Sequence, residues 1–363
     1  MISIIIPAYN AAETIGACLA ALLCQTGLAE RYEVIVVDDG STDGTAEVVR
    51  HTPAPVRLVT QPHRGAAAAR NRGAVAAEGE ILLFTDADCR PRPDWAAEMI
   101  RLLVDERVAG VKGLFRSDQR SLVARMVQAE YEEKEAQMLA RSRVAFADTA
   151  AAGYRADVFR AVGGFRTDMQ AVEDTELAFR LAAADYLIVV APGAIVHHRH
   201  PEGVWAYARR KFRYGLWGVR AYLDHPERMA DDSRTPWSMR LQLVLAPLAA
   251  MSLVAAPLGP AARWVAAGLG LAFAASVAPF VWRSRGHGWS VMSLALPLFF
   301  VRAMALVAGL SLGLARRVAG HTSPGRATDA RPLAPLLHAR PGEAGTAASA
   351  TTRVPWGERG GER

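Results

Sequence analysis

Residues 80–88 read Glu-Ile-Leu-Leu-Phe-Thr-Asp-Ala-Asp. Ile81, Leu82, Leu83 and Phe84 form a continuous apolar run of strand length, Thr85 ends it, and carboxylates follow at Asp86 and Asp88. An unbroken apolar run predicts a strand covered on both faces, as in a parallel α/β sheet. In open α/β sheets ligands bind beyond the carboxyl ends of the strands. Side chains at i and i+2 on extended backbone point the same way. Two carboxylates held that close repel unless a cation sits between them. A divalent metal on a diphosphate meets that need, because Mg²⁺ and Mn²⁺ favour oxygen ligands. The same letters also fit a helix cap at Asp88 and a solvated turn at Asp86.

On the N-terminal side, Ile2–Ile6 reads as a buried strand ending in Pro7-Ala8-Tyr9-Asn10, and Pro7 suits a strand end because it has no N–H to donate. Ile15, Cys18, Leu19, Leu22 and Leu23 have helical spacing within 13–23. A second apolar strand at 33–37 ends in Asp38-Asp39-Gly40-Ser41, and a third follows at 56–60. Helices are expected at 45–50 and 65–77, the latter carrying Arg70, Asn71 and Arg72. This alternation implies a mostly parallel, doubly wound sheet up to about residue 110. Two strands then end in acids on one sheet edge, which predicts a shared site. A dinucleotide-binding Rossmann fold is disfavoured, because the first strand runs into Pro-Ala-Tyr-Asn rather than Gly-x-Gly-x-x-Gly.

The alternation breaks down between Val111 and Gly164. Residues 121–140 read as a long polar helix with a solvated face, and a short helix ends at Gly163-Gly164-Phe165. Glu173-Asp174-Thr175-Glu176 is an acidic turn running into a helix. Short strands at 186–190 and 194–196 precede His197, His198 and His200, which are either metal ligands or a solvated polar turn. Residues 205–222 mix aromatics with Arg209, Arg210, Lys211, Arg213 and Arg220, as a helix lying in a membrane interface does.

Two uncharged apolar runs of near-spanning length follow, at 241–258 and 264–282, the second with tryptophan at each end. Residues 291–315 are apolar except for Arg302, and an arginine at mid-bilayer is costly. With the first half in the cytoplasm, Arg283 and Arg285 lie inside, as the positive-inside rule asks. The expected layout is two spans and a third, interfacial helix. The resulting division is 1–110 for one half of the folded domain, 111–230 for the other with its interfacial helix, 236–317 for the membrane segment, and a disordered tail at 318–363.

The chain has 363 residues and a formal net charge of +6, with a pI near 9.5. No nucleic-acid-reading motif is present, so the basic excess points to a membrane surface and phosphorylated ligands rather than nucleic acid. The three cysteines, Cys18, Cys24 and Cys89, have neither metal-ligand spacing nor an even count. A reducing cytoplasm fits, and the opening strand is expected to follow no cleaved signal peptide.

Taken in order, Ser-Ile-Ile-Ile-Pro-Ala-Tyr-Asn (3–10), Val-Ile-Val-Val-Asp-Asp-Gly-Ser-Thr-Asp-Gly-Thr (34–45), Gly-Ala-Ala-Ala-Ala-Arg-Asn-Arg-Gly (65–73), Asp86/Asp88, Val162–Phe165 and Glu173/Asp174 resemble the family 2 inverting glycosyltransferases of the GT-A fold. The match runs from Ile2 to about His200, and the apolar tail resembles bacterial, membrane-anchored members. The resemblance implies a GT-A nucleotide-diphospho-sugar transferase fold, a doubly wound mixed sheet, followed by C-terminal membrane helices. It implies a metal-dependent glycosyltransferase of the hexosyltransferase type at the inner (cytoplasmic) membrane, moving sugar from a nucleotide donor, a UDP-sugar foremost, to a lipid-linked or glycan acceptor. By that resemblance Pro7, Tyr9 and Asp39 hold the base, and Arg70, with Arg64, lies near the diphosphate or orients the acids. Asp86 and Asp88 hold Mn²⁺ or Mg²⁺, His197 (or else His198) completes the metal shell, and Asp174 is the catalytic base beside Glu173. Gly163 and Gly164 are expected to let backbone approach the sugar. The family's frequent acceptor asparagine is replaced by Ala150-Ala151-Ala152-Gly153, and Phe212-Arg213-Tyr214-Gly215 resembles non-processive members. A processive polysaccharide synthase and a non-catalytic nucleotide-sugar-binding subunit are the alternatives.

Overall fold

The protein was analysed as a computed structural model that describes residues 1–52, 56–233 and 235–320. The tail from residue 321 therefore lies outside the described residues. Eight strands, β1 (Ile2–Ala8), β2 (Tyr32–Asp38), β3 (Val56–Thr60), β4 (Ile81–Phe84), β5 (Arg90–Pro91), β6 (Val108–Arg116), β7 (Ala152–Arg155) and β8 (Leu187–His197), form one sheet in the order β3-β2-β1-β4-β7-β6-β8-β5. The first four are parallel. β7 runs antiparallel to both β4 and β6, and β6 and β8 are parallel. The sheet is thus doubly wound and mixed.

Helices α1 (Ile15–Leu23) and α4 (Trp95–Leu103) pack on one face, and α3 (Ala66–Ala76), α6 (Ala156–Ala161) and α7 (Glu173–Ala183) on the other. α2 (Thr45–Arg50) joins β2 to β3. β4 has both faces covered, with Leu82, Leu83 and Phe84 fully buried, which is why its sequence does not alternate. β2 and β4 both flank β1, so Asp38/Asp39 and Asp86/Asp88 emerge along one edge, as expected.

Three strands escaped the sequence reading, among them the two-residue β5. In β6 the buried Lys112 and two glycines interrupt the apolar run, and β7 is short and glycine-containing. The two short strands expected at 186–196 are one, β8.

Helix α5 (Leu122–Leu139) begins at Ser121, whose Oγ accepts from Ala124 N–H at 3.1 Å. It is not the solvated helix expected from its charges. Gln128, Glu130 and Glu135 are buried, and Met126, Val127 and Ala129 join a cluster with the apolar C-terminal helices. Those helices are α9 (Trp237–Ala255), α10 (Pro260–Arg283), α11 (Trp289–Met292) and α12 (Ala295–Val318), preceded by α8 (Val204–Asp224). Three helical stretches, Trp237–Leu258, Pro260–Arg283 and Trp289–Val318, are long and apolar enough to cross a membrane.

α9 and α10 form a hairpin, while α12 lies alongside α8. Contact there is backbone-close: a Cβ added at Gly309 would run into the Phe212 carbonyl, and one at Gly215 into the Leu306 carbonyl. Arg302 faces inward and bonds Glu130 of α5 at 2.9 Å and Gln242 of α9. Arg317 lies 3.6 Å from Asp224, which itself binds Arg166 at 2.8 Å.

Candidate active site

A cavity of about 580 Å³ opens below the β4 edge and runs to α9 and α12. At its sheet end Arg70, buried on α3, donates to Asp86 Oδ1 at 2.7 Å and to Glu173 Oε1 at 2.8 Å. One guanidinium thus ties the end of β4 to the start of α7, with Arg70 and Glu173 103 residues apart in sequence. Asp174 lines the same cavity, and its Oδ1 accepts from the Thr175 backbone N–H at 2.6 Å and from Thr175 Oγ1 at 3.1 Å. Val172, the residue before this turn, has φ of +61°, a conformation that a β-branched side chain rarely adopts and that clusters at functional sites.

Asp88 faces a different set. Its carboxylate, the Cys89 thiol and a His198 ring nitrogen lie within 4.8 Å of one another. His198 is half-buried against Phe115, and its Nδ1 has no hydrogen-bond partner. Burial pulls the imidazole below its ordinary pKa, which favours the neutral form that can ligate a metal. Carboxylate oxygens with one orphaned imidazole nitrogen fit a divalent cation. His197, the expected ligand, is turned away: its Nδ1 lies 3.1 Å from Asp118 Oδ2. His197 is the last residue of β8 and His198 follows it, and of the two it is His198 whose ring meets Asp88 among the described residues.

At the β2 end, both Asp39 oxygens serve the 61–65 loop. Oδ1 accepts from Gln61 Nε2 at 2.7 Å and Arg64 N–H at 2.9 Å. Oδ2 accepts from Gly65 N–H at 2.8 Å and lies 2.9 Å from His63 Nδ1. The His63 ring sits over Tyr9, centroids 4.1 Å apart. Pro7 is the penultimate residue of β1, paired with Val37.

Gly163 and Gly164 do not line the cavity. They have φ of +85° and +67° and end α6, their N–H groups donating to the Arg160 and Phe159 carbonyls at 3.0 Å. Asn71 clasps Phe165 beyond them through its N–H at 2.9 Å and its carbonyl at 2.7 Å. Both positive φ values lie in the left-handed region that glycine adopts freely. Lys112, Tyr131 and Arg210 line the cavity and were missed as site residues. Lys112 is fully buried and lies 3.1 Å from Asp148, a pairing across β6 and a distant loop that sequence spacing does not reveal.

Residues 3–163 match the profile of the family described as Glycosyl transferase family 2. The chain is 30% identical over 229 residues to Glycosyltransferase AglE of Haloferax volcanii, covering 61% of this chain and 74% of that protein. The chain belongs to glycosyltransferase family 2. It is also 30% identical over 239 residues to Pre-mycofactocin glycosyltransferase of Mycobacterium tuberculosis, 63% of this chain and 49% of that one, so it spans about half that relative's length. Among solved structures, it resembles a mannosyltransferase from Pyrobaculum calidifontis, PcManGT, in complex with GDP-Man and Mn²⁺. The TM-score is 0.59 at 24% identity, with 86% of both chains covered. The fold of this glycosyltransferase is therefore GT-A.

Proposed function

We propose that the chain is a membrane-anchored inverting glycosyltransferase that moves a sugar from a nucleoside-diphosphate donor to a lipid-linked or glycan acceptor. The observation that carries this reading is the meeting of Asp86, Arg70, Glu173 and Asp174 at one cavity end, with Asp88 and His198 beside it. Residues 1–110 would bind the donor and 111–230 the acceptor, with 236–317 in the membrane. Tyr9 and Asp39 would hold the base, with Pro7 shaping the strand end. His63, largely exposed, is the partner of Asp39 that a base N–H would displace. Asp39 suits the ring N–H of uracil, so UDP-sugars lead the donor series, with guanosine donors second because the solved relative is a complex with GDP-Man.

Displacing a nucleoside diphosphate builds negative charge on the leaving phosphate. Asp86, Asp88 and His198 would hold Mn²⁺ or Mg²⁺, which supplies Lewis-acid stabilisation of that charge. Arg70 holds the Asp86 carboxylate in place and adds positive charge to the same end of the cavity. Asp174 takes the proton of the attacking acceptor hydroxyl. A single displacement inverts the anomeric centre, so an α-linked donor gives a β-linked product.

Two observations support the membrane placement. Trp264 and Trp282 on α10 are 18 residues apart, about 27 Å along a helix, close to the ~30 Å hydrocarbon thickness. The bonds of Arg302 and Arg317 to Glu130 and Asp224 tie α12 to the globular part at two points. This favours a spanning α9–α10 hairpin with α12 along the interface, the globular part on the cytoplasmic side of the inner membrane. The test is nucleotide release across a panel of nucleotide sugars with membrane extract as acceptor, followed by NMR of the product's anomeric centre. Retention of configuration would overturn the mechanism, and no release with any donor would overturn the activity.

A further inference from the structure

Asp148 is a carboxylate of the cavity that the proposed transfer does not use. Its side chain is 18% exposed, and Oδ2 lies 3.1 Å from Lys112 Nζ. Among the described residues Oδ1 meets no donor, and the side chain does not cap the turn Thr149–Ala151 that it begins. Lys112 is fully buried on β6, donates to the Gly113 carbonyl at 2.8 Å and sits 4.9 Å from the centre of the Phe115 ring. The ammonium is therefore fixed, and it fixes the carboxylate in turn, because a buried cation holds its counter-charge. One oxygen is tied and the other faces the cavity.

Two further contacts place this carboxylate. The Ala150 carbonyl accepts from Thr85 Oγ1 at 3.0 Å, which ties the turn to the end of β4 one residue before Asp86. Burial, and after it the charges of Asp174 and Asp148, raise the pKa of the Tyr154 phenol, so both carboxylates lie near that ring. Asp148 thus stands between the acids proposed for the metal and the proposed base. In an inverting displacement the base works on the face of the sugar opposite the leaving group, so the transferred ring occupies that interval. An ionised carboxylate is an acceptor only, and sugar hydroxyls are donors that match it.

We propose that Asp148 is a specificity-determining residue that binds hydroxyl groups of the transferred sugar, with Lys112 as the positioning residue that aims it. The proposal rests on the transferase reading of this cavity and deepens it, naming the residue that tells one sugar from its epimers. A ring whose hydroxyl points away leaves Asp148 Oδ1 desolvated and unpaired, and a site built to hydrogen-bond a hydroxyl rejects such a ring.

The test is equilibrium binding to the full chain in detergent, with Mn²⁺ and without acceptor. The probes are UDP-glucose, UDP-galactose, UDP-xylose, GDP-mannose and GDP-glucose, with UDP and GDP as references. In at least one nucleotide series one sugar is expected to bind at least roughly tenfold tighter than another, the scale of a hydrogen bond to a charged group. Asp148→Asn should bring that series to within about threefold while leaving UDP and GDP affinity unchanged. Lys112→Arg, which keeps the charge but re-aims the carboxylate, should lower the same preference. A merely structural role would lower melting without levelling the series. Wild-type chain that binds all sugars of each nucleotide alike would overturn the proposal, as would an Asp148→Asn variant that keeps the preference. Loss of UDP and GDP affinity in that variant would overturn it too, moving Asp148 to the diphosphate. If Asp148→Asn fails to fold, Asp148→Glu keeps a carboxylate beside Lys112 but carries its oxygens farther into the cavity, and the same readings decide. No sugar is transferred in this assay, so its failure is separate from failure of the transferase reading, which nucleotide release tests.

Discussion

Replacing Arg70 with methionine tests the tie on which the proposed site depends. Arg70 is 5% exposed, and its two charge-assisted bonds hold Asp86 and Glu173 together. Methionine keeps much of the volume but leaves two carboxylates facing each other without their cation. Removing one partner of a buried ion pair costs about 3–5 kcal/mol. Asp86 is 29% exposed and can be rehydrated, whereas Glu173 at 12% is less able to be, so the lower end applies, roughly 3 kcal/mol. At about 2–4 °C per kcal/mol for units of 150–250 residues, melting should fall by roughly 6–12 °C. Adding Glu173→Gln removes one of the opposed charges and should restore a good part of the loss, while donor turnover stays low because Asp86 is still unanchored. The assay is a melting curve on all variants with single-turnover nucleotide release on the stable ones. An Arg70→Met protein melting within about 2 °C of wild type would refute the bridge as a tertiary tie. A double variant no more stable than Arg70→Met would show that the strain does not lie between the two acids.

Four further outcomes are expected. Asp174→Asn should slow single-turnover transfer by ~10²–10⁴-fold with nucleotide affinity kept, and near-wild-type transfer would remove Asp174 as the base. His198→Ala should weaken Mn²⁺ binding, followed by electron paramagnetic resonance, while His197→Ala leaves it unchanged; the reverse order would restore His197 as the ligand. Deleting everything after Asp231 should give an insoluble protein, because α5 would lose the apolar cover of α10 and α12 and the Arg302 partner of Glu130; a soluble, cooperatively melting fragment would contradict that packing. Burial opposes the charge of Asp168, but Arg166 and Arg220 at 2.9 and 2.6 Å outweigh it and hold the carboxyl below its ordinary range. Its stabilisation is present above the unfolded pKa of about 3.9 and lost as pH falls through the folded value, so the melting gap between wild type and Asp168→Asn should close below about pH 4.

Local pattern made the first half of the sheet legible. The apolar runs at 33–37 and 81–84 are strands because both their faces are covered, and the acids that end them share an edge because β1 lies between the two strands. The apolar helices could be read from length and composition alone. The β6 strand could not, because Lys112 looks like a surface residue until Asp148 is brought to it.

The sequence alone determined that acids would stand at two strand ends, that an acidic turn would follow, and that the chain would finish in apolar helices, since each depends on residues near one another in the chain. Tertiary structure decided which of two adjacent histidines faces Asp88, because His197 at the end of β8 meets Asp118 while His198 just beyond it meets the acid, and only the fold brings those partners there. It also decided that Glu130 and Arg302, 172 residues apart, are partners rather than a solvated acid and a misplaced arginine. A buried charge is tolerated only where its counter-charge arrives through the fold, and nothing local in either segment announces the other.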